Sequence, residues 1–179
     1  VEAKNFLKIN ALLNDCELAF DPIVASGKKG VGMHFRDSDK WLKGFCIVDF
    51  GVKCKGYCSD MTRMFYIGKP SKKELELYDL VLKVQEECIK MVKPGIKTED
   101  IEKYARKRFK EYSKNFVHSL SHGFGVEIHE KPSPSDVLKE GMVITIEPGL
   151  YFSDKFGIRI EDDVLVTKNG YKVLSKLSK

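Results

Sequence analysis

The order of periodic segments predicts an α+β protein: one helical stretch, then strands, then two helices, then a closing run of strands. Two further observations support this class. A capping box marks one helix start, and the apolar runs of the last third have strand length and composition. The chain of 179 residues has the size of one domain, and no linker or low-complexity segment divides it. A single domain over residues 1–179 is expected, in two similar halves that differ in their number of helices.

Residues 2–14 read as an amphipathic helix with Phe6, Ile9, Leu12 and Leu13 on one face. Residues 20–25 are extended and lead into a glycine-rich loop over 27–32. Residues 45–52 form a strand, and 62–67 form a second after a turn at Lys55 and Gly56. Ser71 opens a helix whose box is closed by Glu74, and Leu77, Val81, Val84, Cys88 and Met91 follow at core-facing helical spacing. Pro94 and Gly95 end it, and Thr98 caps a second helix to about Lys114. Strands are expected at 117–120, 142–146, 157–166 and 171–174.

Hydrophobic residues at 42% and charged residues at 32% describe a globular chain and exclude a disordered one. No apolar run approaches the roughly 18 residues of a membrane-spanning helix. The net charge of +5 comes from scattered lysines, which reads as a solvated surface and not a nucleic-acid interface. Five cysteines (Cys16, Cys46, Cys54, Cys58, Cys88) lack paired CxxC spacing. Cys54 and Cys58 read as a zinc pair or as plain thiols on neighbouring strands, and the set as a whole suits a reducing, cytoplasmic compartment.

The chemistry lies in the acids. Asp49 sits inside an apolar strand, Glu147 ends another, and Glu161 follows Ile158 and Ile160 on a third. Burying carboxylates among such neighbours is costly unless a cation compensates them. With Asp60 they carry about four negative charges, which two divalent ions would neutralise; His122 could add a neutral nitrogen ligand. Oxygen-rich ligation with one imidazole suits Mn, Co, Fe or Zn in a two-metal site. Strand alternation points Arg159 to the same face as Glu161. All four histidines, His34, His118, His122 and His129, fall in or near these segments.

The motifs Asp49-Phe-Gly, Tyr57-Cys-Ser-Asp60-Met-Thr-Arg63, His118-Ser-Leu-Ser-His122-Gly-Phe-Gly-Val-Glu-Ile-His129, Glu147-Pro-Gly-Leu-Tyr and Arg159-Ile-Glu161-Asp-Asp stand in this order. Together they resemble the pita-bread metallopeptidases (family M24), in particular the proline-specific branch of Xaa-Pro dipeptidase (prolidase) and aminopeptidase P. The resemblance implies pseudo-two-fold αβ halves around a curved antiparallel sheet. It also implies that the separate amino-terminal domain of these enzymes, and the first helix of the catalytic domain, are missing from this chain.

By this resemblance Asp49, Asp60, His122, Glu147 and Glu161 are the metal ligands. His129 stabilises the tetrahedral intermediate, and His34 and His118 contact substrate and assist proton transfer. Arg159 either orients Glu161 or pairs with a substrate carboxylate. Tyr57 and Thr62 support the aspartates, with simple packing as the other reading of Tyr57. The implied activity is hydrolysis of the Xaa-Pro bond of dipeptides by a metal-bridging hydroxide, with Glu147 accepting the proton. The other readings are an aminopeptidase P acting on longer Xaa-Pro peptides and a non-catalytic binding module. A dipeptide or short peptide is the expected partner, and a homodimer is the assembly considered. Three departures from the family pattern stand out: Ser121 and Val117 replace glycines, and the loop over 28–33 lacks a proline just before His34.

Overall fold

The computed structural model describes residues 2–27, 42–153 and 155–179. The chain opens on α1 (Glu2–Leu13), then β1 (Glu17–Leu18) and β2 (Ile23–Ser26). Next come β3 (Gly44–Asp49), β4 (Val52–Cys54), β5 (Tyr57–Cys58) and β6 (Thr62–Ile67). Two helices follow, α2 (Lys72–Met91) and α3 (Thr98–Phe109), with a 3-10 turn at Lys110–Asn115. The closing strands are β7 (Val143–Ile146), β8 (Gly149–Phe152), β9 (Phe156–Arg159), β10 (Asp162–Thr167) and β11 (Gly170–Val173).

Each half is built on an antiparallel three-stranded sheet, ordered β2-β3-β6 in the first and β11-β10-β7 in the second. The two sheets offer their acids in the same way. Asp49 ends β3 and Asp60 lies just before its partner β6; Glu147 follows β7 and Glu161 lies just before its partner β10. Each pair of strands therefore delivers two carboxylates to one end of its ladder. The halves are stitched there by the Glu161 amide, which donates to the Thr62 carbonyl at 3.2 Å.

The α2 stripe is core as its spacing predicts: Leu77, Val81, Val84 and Cys88 are buried, and Met91 packs at the margin. It meets Ile101, Ala105 and Phe109 of α3 and Ile144, Ile146, Val164 and Val166 of the second sheet. Burying each such side chain contributes about 1.5–3 kcal/mol relative to exposure. The capping box forms, with the Glu74 amide donating to Ser71 Oγ at 3.3 Å and the Ser71 amide donating to Glu74 Oε2 at 2.8 Å. The turn between β4 and β5 places Lys55 and Gly56 at φ 52° and 85°, the left-handed pair that a tight hairpin needs.

Several elements differ from expectation. The N-cap of α3 is Lys97, while the Thr98 hydroxyl bonds the Pro134 carbonyl at 3.3 Å. The helix stops at Phe109 because Lys110 turns to φ 51°, and the chain continues as the 3-10 turn. Residues 117–120 are not a strand. They are pinned by α3, whose Glu102 accepts from the Leu120 amide and whose Arg106 donates to the carbonyls of Phe116 and His118. The expected strand over 157–166 breaks at Ile160 and Glu161 into β9 and β10, and β8 was missed. On α1 the apolar face is turned outward, with Phe6, Ile9, Leu12 and Leu13 exposed, while Ala11 and Lys4 are buried.

Cysteine chemistry needs a correction. Cys16 and Cys54 form a disulfide, continuing the β1–β4 register in which Glu17 faces Lys53. The reading of these two as free thiols, and of Cys54 as a zinc ligand with Cys58, does not hold. Cys46 and Cys88 are buried thiols whose ionisation burial pushes up to about 11 and about 12, so they behave as small apolar groups.

Gly123 has no room for a side chain. A Cβ there would overlap the Lys131 carbonyl and the Pro132 nitrogen. Gly123→Ala is expected to cost about 1–3 kcal/mol in urea unfolding, because backbone on both sides must shift. Full stability in that variant would contradict the packing described.

Candidate metal centre

The five expected ligands are brought to one place. Asp60, His122 and Glu161 each offer a ligand atom within 4.8 Å of the other two, the one such cluster found among the described residues. His122 Nε2 lies 3.5 Å from both Asp60 Oδ2 and Glu147 Oε1. Asp49 faces the same pocket beside Asp60 and interacts with it electrostatically. All five line a pocket of about 510 Å³, walled on its apolar side by Phe20, Ile23, Val117, Ile128 and Tyr151.

The acids are in electrostatic conflict. Burial, then repulsion from Asp49 and Glu147, pushes the Asp60 carboxyl up to about 9. Burial and the Glu161 charge push Glu147 to about 8. Asp49 is raised by burial against the pull of Arg159, and Glu161 is raised well above its ordinary value by burial and by Asp60. Asp49 Oδ1 is buried with no hydrogen-bond partner among the described residues. A divalent cation would relieve both faults, since it supplies the missing partner and favours the ionised acids. The donor set therefore fits a metal.

Support comes from neighbouring hydroxyls and one guanidinium. Thr62 Oγ1 donates to Glu161 Oε2 at 2.7 Å and accepts from Arg159 Nε at 3.1 Å. Arg159 also donates Nη1 to the Tyr151 hydroxyl at 3.0 Å and Nη2 to Asp49. Thr145 Oγ1 accepts from the His122 amide at 3.1 Å and donates to Glu147 Oε1 at 3.2 Å. His118 Nδ1 lies 2.8 Å from the Ser119 carbonyl, which can only accept, so the ring proton sits there. Its Nε2, 2.9 Å from Tyr151, then accepts from that hydroxyl.

Residues 2–168 match the sequence pattern of the Metallopeptidase family M24. The chain belongs to this family. It is 45% identical over 166 residues to an Xaa-Pro dipeptidase of Pyrococcus furiosus, a match covering 88% of this chain and 48% of that relative. It superimposes on the prolidase of Pyrococcus horikoshii OT3 with a TM-score of 0.94 and 41% identity, over 99% of this chain and 54% of that one. An X-Pro aminopeptidase from Thermotoga maritima MSB8 gives 0.93 and 39%, over 99% and 53%. The chain spans about half the length of the curated relatives it matches. The pita-bread fold expected from the motifs is the fold observed.

Within this M24 fold the remaining expectations fare differently. His129 is on the pocket wall, its ring 4.2 Å from that of His122. His34 lies outside the described residues. Arg159 holds Asp49 and Thr62, which favours ligand support over recognition of a substrate carboxylate. Tyr57 is 67% exposed, which fits neither simple packing nor support of the aspartates, and that support falls to others. Asp60 is held through its amide by Asp163 Oδ2 at 3.2 Å, and Thr62 serves Glu161. Ser121, in place of glycine, is buried, and its hydroxyl has no hydrogen-bond partner among the described residues.

Sequence reading missed Thr145, Tyr151 and Asp163. A signal existed for Thr145, which lies two residues before Glu147 on one strand face. Tyr151 and Asp163 stand inside the quoted motifs, but their roles act across elements and carry no local mark.

The raised carboxyls set a pH dependence. The folded metal-free protein holds protons that the unfolded chain releases near the ordinary values of 3.8 and 4.5, and gives them up only near 8 to 9. Stability of the metal-free protein is therefore expected to fall as pH rises from about 5 to about 9. Thermal unfolding with chelator should show this slope, and added Mn²⁺ or Co²⁺ should flatten it. A metal-free melting temperature that climbs over the same window would contradict the assignment.

Proposed function

We propose that this domain is a two-metal peptidase that hydrolyses the Xaa-Pro bond of dipeptides. The observation that carries the reading is the convergence of Asp60, His122 and Glu161, ringed by Asp49 and Glu147, in a pocket of substrate size. Its closeness to Xaa-Pro dipeptidases supports the substrate class. Five ligands, four of them acids, suit two divalent ions better than one on charge balance.

The five residues would hold the ions, which when bound supply Lewis acidity and an acidified water. Glu147 accepts a proton in this scheme. Thr145 fixes its Oε1, which leaves Oε2 turned toward His118 at 3.9 Å. His129 stands beside His122 at the pocket edge and donates to the oxyanion as the carbonyl becomes tetrahedral. Arg159 balances Asp49 and keeps that carboxylate aimed inward. Burial holds the His118 imidazole down to about 4, so at neutral pH it is uncharged and its proton is committed to Ser119. His118 therefore serves as a polar wall for substrate, and proton delivery to the proline nitrogen falls to another group, with His34 the remaining histidine.

Likeness to an X-Pro aminopeptidase favours a second reading, in which longer Xaa-Pro peptides are cut. Turnover of an Xaa-Pro dipeptide against an Xaa-Pro tripeptide distinguishes the two; a preference for the dipeptide supports the first. Chelation should abolish activity and Mn²⁺ or Co²⁺ restore it. Glu147→Gln should lower kcat by roughly 10²- to 10⁴-fold, the range for loss of a positioned proton acceptor. Retention of most turnover at saturating metal would exclude Glu147 from that role.

A further inference from the structure

The tail after β11 lies beyond the residues matched by the family pattern, which end at 168. It nevertheless returns to the back of the metal centre by two branches. In the first, the Leu174 amide donates to the Asp163 carbonyl at 2.8 Å, and Ser175 Oγ accepts from the Asp163 amide at 2.9 Å. Asp163 Oδ2 in turn holds the amide of Asp60.

The second branch ends at Glu161. The Leu177 carbonyl accepts from Arg63 Nε at 3.1 Å and Nη2 at 2.8 Å. That guanidinium also donates to the Glu161 carbonyl at 2.6 Å, the Thr62 carbonyl at 3.0 Å and Asp162 Oδ1 at 2.6 Å. Lys179 Nζ reaches the other oxygen of Asp162 at 2.6 Å and Gln85 Oε1 at 2.8 Å. Asp162 and Gln85 are fully buried and Arg63 is 4% exposed, while the Lys179 side chain is 21% exposed, so the inner ends of these bonds lie out of water, where geometry is held tightly.

We infer that residues 174–179 form a strap, and that Ser175 and Lys179 are positioning residues for a divalent cation held by Asp60 and Glu161. The inference rests on the metal reading above. Lys179 shares Asp162 with Arg63. Without the ammonium, the guanidinium is the sole cation on a fully buried carboxylate and is drawn off the Glu161 carbonyl. Ser175 acts more weakly, because it offers Asp163 a single neutral hydrogen bond, whereas Lys179 brings a full charge to Asp162.

Calorimetric titration with Mn²⁺ or Co²⁺ alone tests the strap without an activity assay. Lys179→Met is expected to weaken metal affinity by about 10- to 100-fold, the usual cost of losing a group that orients a ligand, and Lys179→Arg to restore most of it. A merely structural tail would lower the melting temperature of Lys179→Met and leave its metal affinity unchanged, which would overturn the inference. Should Lys179→Met fail to fold, Ser175→Ala decides: weaker binding supports the strap, and unchanged binding overturns it. A wild-type chain that takes up no metal would sink the metal reading itself and the strap with it.

Discussion

Four carboxylates from Asp49, Asp60, Glu147 and Glu161 crowd around one imidazole between the two halves of the molecule, and most of the surrounding structure answers that repulsion. Ionised together in a site this dry they would repel strongly, so each is pushed toward its protonated form. One guanidinium sits among them: Arg159 is buried, and although burial opposes its charge, Tyr151, Asp49 and the two glutamates hold it ionised. One cation does not balance four acids. The deficit is the physical reason that the site calls for metal, and the unpaired Asp49 Oδ1 shows where the deficit is local.

The fold meets this demand by repetition. Each half supplies one acid from the end of a strand and one from just before its antiparallel neighbour, so the ladders bring all four to one place. Thr62 and Thr145 then set the rotamers, one on Glu161 and one on Glu147. Hydroxyls suit this task because they donate to a carboxylate while accepting from a neighbour, and they add no charge to a site already out of balance. Behind this layer lies a second set of ions, in which the fully buried Asp162 is held between Arg63 and Lys179 and so carries its own cations without metal.

Much of the architecture was legible along the chain. The α2 stripe and its Ser71–Glu74 box follow from local physics, and so do β6 and the hairpin turn at Lys55 and Gly56. Failures came where a neighbour in space overruled the local pattern. Residues 117–120 look like a strand but bond to Glu102 and Arg106 in place of a partner strand. The apolar run through 157–166 breaks at Ile160 and Glu161, where the Glu161 amide leaves the ladder for Thr62 of the other half. Cysteine spacing gave no hint that β1 and β4 would set Cys16 beside Cys54.

The acids at the centre of the site could be named from sequence alone, because carboxylates embedded in apolar strands are costly and few other reasons would keep them there. Their order and neighbours were enough to place the family and the fold. What each supporting residue does was decided only in three dimensions. Arg159 could have faced a substrate or a ligand until Asp49, Thr62 and Tyr151 were seen around it. His118 is uncharged because it is buried, and Ser119 and Tyr151 fix which nitrogen carries its proton. Tail residues such as Lys179 acquired a role only because the fold carries them back more than ninety residues in sequence, to Gln85. Side-chain type is a local property, but hydrogen-bond partners and burial belong to the packed whole, and these determine charge state and aim.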